Sequence, residues 1–322
     1  MRSDIGLWGR TWFYSLFHYA INAFHQPFYQ ALIYLRWIRW IMTEALAGRE
    51  YVFINMDESS VSKIVSQSSG FVPSREMQQH RGMVRKRPRP DRHDVRTSLL
   101  GTVCNDPVLQ PHLPQVFLPS YSKHVDPPAE VLSEYRRTRA PLEYWHHTNG
   151  WSSWRIISRW LTRLRSVVSS VRPAAWVVIV LDCATSHLYA DVLRHARRLS
   201  LLVLVIPAGL THIFQVLDVY IFADLKRRIR HSFVRQTASS RDGQLDRLAR
   251  IRSVAGATHE AIVQVDCTDF FRSVGLADDF NHLRQDVMNI VGEQTITPAL
   301  PLRAEFATMV GRTPHTHDWR SS

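Results

Sequence analysis

Cysteine is scarce: Cys104, Cys183 and Cys267 are the only three in 322 residues, and they stand far apart. An odd, scattered set excludes a disulfide framework and fits a reducing compartment. Despite 16 histidines, no Cys-x-x-Cys pair and no cysteine–histidine cluster offers a zinc pattern. Long apolar runs are missing as well. The first 47 residues are rich in aromatics, among them Trp8, Trp12, Phe13, Trp37 and Trp40, but His18, Asn22, His25, Gln26 and Pro27 interrupt them. No stretch there reaches the roughly 20 apolar residues of a membrane span, and no compact apolar region with a small-residue cleavage site marks a signal peptide. Internal repeats and low-complexity tracts are absent. Acidic residues are also in deficit, 28 Asp+Glu against 40 Lys+Arg, for a net charge of +12. That excess suits a polyanionic partner. A content of 45% hydrophobic and 21% charged residues excludes a disordered chain.

What is present centres on residues 176–235. Trp176 to Leu181 is an apolar run short enough for a strand buried on both faces, and it stops at Asp182. A polar turn leads to a predicted helix over about 188–199, with Leu188, Val192, Leu193 and Ala196 on one face. A second apolar run, Leu201 to Ile206, ends at Pro207, and Asp218 then opens an amphipathic basic helix. Tyr51 to Met56 is another apolar strand, and Asp57-Glu58 follows it. Three elements each presenting an aspartate suit Mg²⁺, which takes a few carboxylates and completes its octahedron with water and substrate oxygens. Two such ions about 3.5–4 Å apart activate both oxygens of a phosphodiester displacement. By strand alternation Glu58 points away from Asp57. Asp224 is the rival for the third position.

These residues carry a family resemblance. INMDESS at 54–60, LDCATSH at 181–187 and IPAGLTHIFQVLDVYIFADLKRRIR at 206–230 resemble, in order, the three motifs of DDE-superfamily transposases of the pogo-like and mariner-like groups. The resemblance covers about residues 45–235. It implies an α/β fold, an RNase H-like mixed sheet flanked by helices, and a two-ion Mg²⁺ (or Mn²⁺) site on Asp57, Asp182 and Asp218. His187, five residues after Asp182, either assists proton movement and phosphate contact or caps the helix that follows. The implied activity is DNA endonuclease and strand transfer, with transposon ends and target DNA as partners, a homodimer admitted, and a nuclear location in a eukaryote. Thr185 and Val216 stand where the family has proline, and Ser59 where glycine is frequent. The alternative is therefore a domesticated copy that binds DNA or protein and cuts nothing. An RNase H-like nuclease acting on RNA–DNA hybrids is a third reading.

The remaining chain divides around this block. Residues 1–47 are read as two helices broken near Pro27 and packed on the core, with an interfacial amphipathic anchor as the alternative. Before residue 45 there is no room for the paired helix-turn-helix modules such transposases carry. The catalytic domain spans 48–235, with an insertion at about 119–150 and a helical, partly disordered tail over 236–322. Arg81, Arg85, Lys86, Arg87 and Arg89, broken by Pro88 and Pro90, form a solvated loop, a phosphate contact or an import patch. Lys226, Arg227 and Arg230 make a cationic face beside the third aspartate, placed for backbone phosphates. Thr97 to Cys104 and Gln115 to Leu118 are further strands. The tryptophans of 151–164 recur at helical spacing, as core does, with base stacking by one of them the alternative. Helices are also predicted over 253–265 and 277–291.

Overall fold

Strand β1 (Tyr51–Ser60) sets the architecture, because it pairs on both sides and alternates between two cores. The computed structural model describes residues 27–61, 97–119, 133, 142–145, 152–237, 243–277, 282–292 and 296–310. β2 (Thr97–Cys104), β3 (Gln115–Pro119), β4 (Leu142–Tyr144), β5 (Trp176–Leu181) and β6 (Leu201–Val205) complete a six-stranded sheet in the order β4-β3-β2-β1-β5-β6. β1, β2 and β3 are antiparallel neighbours, whereas β5 and β6 run parallel to β1. An antiparallel meander followed by parallel strands, flanked by helices, is the RNase H-like α/β arrangement.

The short apolar runs become strands because both faces of the sheet are covered. On one face Val52, Ile54 and Met56 of β1 join Val177, Ile179 and Leu181 of β5 against helix α2 (Trp154–Val171). Ile156, Ile157, Trp160, Leu161, Leu164, Val167 and Val168 of α2 recur at three- and four-residue intervals, the stripe a helix needs to cover a sheet. The Ser153 side chain caps its first turn, accepting from the Ile156 N–H at 3.5 Å. Trp160 is fully buried and donates from Nε1 to Thr102 Oγ1 at 3.1 Å. That settles it as core. Helix α3 (Ala190–Arg198) packs beside α2 on the same side. Trp151 lies outside the described residues.

The other face carries Phe53, Val178 and Val180 against α4 (Thr211–Phe214), a π-helical turn (Leu217–Ile221) and α5 (Phe222–Thr237). α1, over residues 27–40, and the π-helical turn Ile41–Ala45 belong to this core, with Tyr34 tilted against Phe214 at 4.9 Å. The apolar face of α1 is thus inside the protein, not free for a headgroup layer; any helix before residue 27 lies outside the described residues. Among the described residues no helix is long and apolar enough to cross a membrane. α6 (Gly243–Thr258), the π-helical turn His259–Val263, α7 (Thr268–Ser273) and α8 (Gln285–Val291) pack around α5 and behind it.

The stretch 296–310 folds back over α1 and ends in α9 (Arg303–Met309). Arg36 Nε donates to the Thr297 carbonyl at 3.3 Å, the Ala299 N–H to the Arg36 carbonyl at 3.1 Å, and Gln30 Nε2 to the Thr308 carbonyl at 3.2 Å. Trp37 meets Phe306 edge-on at 6.0 Å. The Ala208 N–H donates to the Met309 carbonyl at 2.7 Å, which ties this stretch to the loop after β6.

Candidate active site

Asp57 lies inside β1 rather than at its end. The apolar run predicts a strand that stops at Met56; the strand runs on to Ser60 because β2 keeps pairing there, with Asp57 opposite Gly101. The parallel neighbour β5 stops sooner: its pairing with β1 ends at Asn55–Val180, and the chain leaves the strand at Asp182. Asp57 and Asp182 therefore share the edge where β5 ends. The third aspartate arrives across the face. Asn55, fully buried two residues before Asp57 and on the same side of β1, accepts from the Leu217 N–H at 3.0 Å through Oδ1. Its Nδ2 donates to the Val180 carbonyl at 2.9 Å. One amide thus holds together β1, β5 and the turn that bears Asp218. Gly101 permits the approach, since a Cβ there would stand 3.0 Å from a Phe222 ring carbon and 3.3 Å from Leu217 Cδ2.

The three carboxylates differ in environment and titrate as a ladder. Asp57, 9% exposed, is pushed well above the usual carboxylate range by burial first, then by Asp218 and Asp182. Only its bond from the Glu58 N–H, at 2.7 Å, and the neighbouring Gln215 amide favour its charge. Asp182 is held below that range. Burial opposes its ionisation, but the bond and charge of His187 and the Ala184 N–H outweigh burial. Asp218 is the most exposed of the three, yet desolvation of its carboxyl and the charge of Asp182 raise it, against the pull of Lys226. The mutual repulsion falls on Asp57 because it keeps its proton after the others ionise.

His187 is 2% exposed, and its Nδ1 lies 2.5 Å from Asp182 Oδ1. The same oxygen accepts from the Ala184 N–H at 3.1 Å, an Asx-type turn that leads the chain off the strand. The histidine does not cap α3, whose N-cap is Tyr189 with no side-chain cap bond. Gln215 is fully buried beside Asp57, close enough to favour the charged carboxylate but not placed to bond it; neither atom of its amide has a hydrogen-bond partner.

Glu58 does turn to the opposite face. Its Oε2 accepts from the Ser152 N–H at 2.9 Å and from the Ser152 hydroxyl, bracing β1 against the start of α2. Asp224 is occupied by Arg227 and by Arg228, the latter at 2.5 Å, which hold its carboxyl low. Lys226 is the cation of this face whose charge reaches Asp218, with its Nζ 5.8 Å above the Phe222 ring. Arg227 is turned to Asp224, and Arg230 is exposed. Arg81, Arg85, Lys86, Arg87 and Arg89 lie outside the described residues. Cys183, its thiol raised by burial and by Asp182, is no activated nucleophile.

Sequence reasoning passed over Asn55 and Gly101. A polar residue inside the apolar run YVFINM, on the same alternation as the aspartate two places on, was the available signal for Asn55. Gly101 carried none, because its role depends on Leu217 and Phe222, far along the chain.

Residues 116–279, half of the chain, match the family described as DDE superfamily endonuclease, and the chain belongs to that superfamily. The matched span includes Asp182 and Asp218. Asp57 precedes it, and its place beside them comes from the sheet. No curated protein and no solved structure matches the chain.

Proposed function

We propose that this chain is a divalent-metal-dependent DNA endonuclease and strand transferase of the transposase type, with Asp57, Asp182 and Asp218 as its metal ligands. The observation that carries this reading is that three aspartates from three elements come together at the edge where β5 ends, close enough that Asp182 opposes ionisation of both Asp57 and Asp218, and Asp218 that of Asp57. A fold seldom gathers like charges without a cation to relieve them. The donor set is carboxylate oxygen, which suits Mg²⁺ or Mn²⁺ over softer ions. Among the described residues no three His, Cys, Asp or Glu side chains enclose an ion by themselves. Water and substrate oxygens would complete the shells, as is usual for Mg²⁺.

When bound, two such ions supply an activated attacking oxygen and a stabilised leaving oxygen for in-line displacement at phosphorus. The chain's own residues set the stage. His187 is a positioning residue: it fixes one oxygen of Asp182 and leaves the other for a ligand, much as a partner behind a ligand orients it. Asn55 fixes the turn that bears Asp218. Lys226, whose charge reaches Asp218, and exposed Arg230 four residues further along α5 are the cations we assign to phosphates flanking the reacting one. The first test is thermal stability with and without Mn²⁺. Metal at 100 times its dissociation constant adds about 2.7 kcal/mol to stability, so the melting temperature should rise in the natural chain and stay level in Asp182→Asn. No rise in the natural chain would remove the metal-site reading.

A further inference from the structure

Across the sheet from Asp218, at the start of α2, stands a feature the proposed chemistry does not use. Trp154, the first residue of α2, stacks on Tyr189, the residue before α3, with ring centroids 5.4 Å apart and planes 14° from parallel. Tyr189 is 45% exposed, so the stack ends in solvent. The guanidinium of exposed Arg155 lies 5.0 Å from the centre of the Trp154 ring.

Both aromatics are tied to the aspartates through short paths. Ser152, two residues before Trp154, is bonded to Glu58, the neighbour of Asp57. Two residues span at most about 7 Å. On the other branch, Tyr189 closes the turn that starts at Asp182 and is pinned by His187. The stack is therefore held, on the α2 side of the sheet, by the two segments that follow Asp57 and Asp182. A preformed aromatic face with a cation beside it is how proteins hold an unpaired base, since every base offers a π-face to stack on. The stack leaves Tyr189 45% exposed, open to a further ring.

We infer that Trp154 and Tyr189, with Arg155, form a stacking site for an unpaired nucleobase of the DNA strand whose phosphate reaches Asp57, Asp182 and Asp218. The inference rests on the nuclease reading for its DNA, but its test does not need cleavage. The full chain is mixed, in EDTA, with a duplex carrying a single unpaired 2-aminopurine next to its end, and with the same duplex fully paired. The unpaired probe should bind more tightly and its fluorescence should be quenched. Tyr189→Leu should lose that preference by on the order of tenfold, within the range for base–aromatic stacking, and leave the paired duplex unaffected. Tyr189→Phe should keep it, and Tyr189→Trp, with a larger face, should increase it. Tyr189→Trp decides the matter should Tyr189→Leu not fold. Equal binding and quenching by natural, Leu and Trp chains would overturn the inference and leave the stack a brace between α2 and the Asp182 turn. Failure to bind either duplex would overturn the nuclease reading along with it.

Discussion

The two faces of β1 differ in what they bury. Toward α2 the strand presents Val52, Ile54 and Met56, and the fully buried Trp160 opposite has its one polar atom paired with Thr102. Toward α5 it presents Phe53, Asn55 and Asp57, facing Gln215 with both amide atoms unpaired and a carboxylate that resists ionisation. On the first face the polar atoms that meet the strand are largely paired, Glu58 Oε2 with Ser152 and Trp160 with Thr102, and among the described residues only Glu58 Oε1 is left without a partner. The second holds a buried carboxyl that is costly to ionise and an unpaired amide, which a well-packed core excludes. Alternation, a period of two, is enough to separate them. A single strand can thus anchor the fold with one set of side chains and strain toward a ligand with the other.

This contrast can be broken by matched substitutions. Asn55→Leu should have the largest effect. It strips the acceptor from the Leu217 N–H and the donor from the Val180 carbonyl, each buried, at about 1–3 kcal/mol apiece. It also loosens Asp218, so nicking should fall about 10–100-fold, as when a group behind a metal ligand is lost. Trp160→Phe on the other face should lower stability by about 1 kcal/mol and leave nicking unchanged in a supercoiled-plasmid assay. Equal losses of activity from the two would erase the distinction between the faces.

Gly101→Ala sharpens it further. The added methyl must displace the Phe222 ring edge and Leu217, which flank Asp218 in sequence, and overpacking of this kind costs about 1–3 kcal/mol. Chemical denaturation should register that loss, and nicking should drop more than the stability change alone would explain.

The smallest effect has a distinctive sign. Asp57 binds its proton more tightly folded than unfolded. Between its unfolded value near 3.9 and its raised folded one, the native state holds more protons, so its contribution to stability falls as pH rises. In EDTA at neutral pH, Asp57→Asn should therefore melt about 2 °C or more above the natural chain, and the gap should close toward pH 4. A variant that melts lower at every pH would show that the carboxylate is not under the strain described.

Much of this was legible beforehand. Five strands announce themselves as short apolar runs, because a strand covered on both faces needs little else. β4 does not: three residues in a proline-rich stretch have no period to read, and they pair only at the edge of the sheet. α6 begins at Gly243, ten residues before the helix predicted over 253–265, and the helix predicted over 277–291 is described only as α8 from Gln285. The π-helical turn at Leu217–Ile221 is a tertiary product, shaped where α5 crosses Gly101, so no local pattern encodes it. Asp182 and Asp218 could be picked out by position and motif. The ladder in their ionisation could not, because it depends on which carboxylate the fold buries most.

The most direct test of the central claim is nicking of supercoiled plasmid by the full chain in Mg²⁺ or Mn²⁺, beside Asp182→Asn. Asp182 is the aspartate already ionised and oriented by His187, and it is partly exposed, so the variant should fold. The account predicts metal-dependent nicking by the natural chain and a loss of at least about 100-fold in the variant, more than a group behind a ligand gives. Nicking by the variant at the natural rate would contradict it.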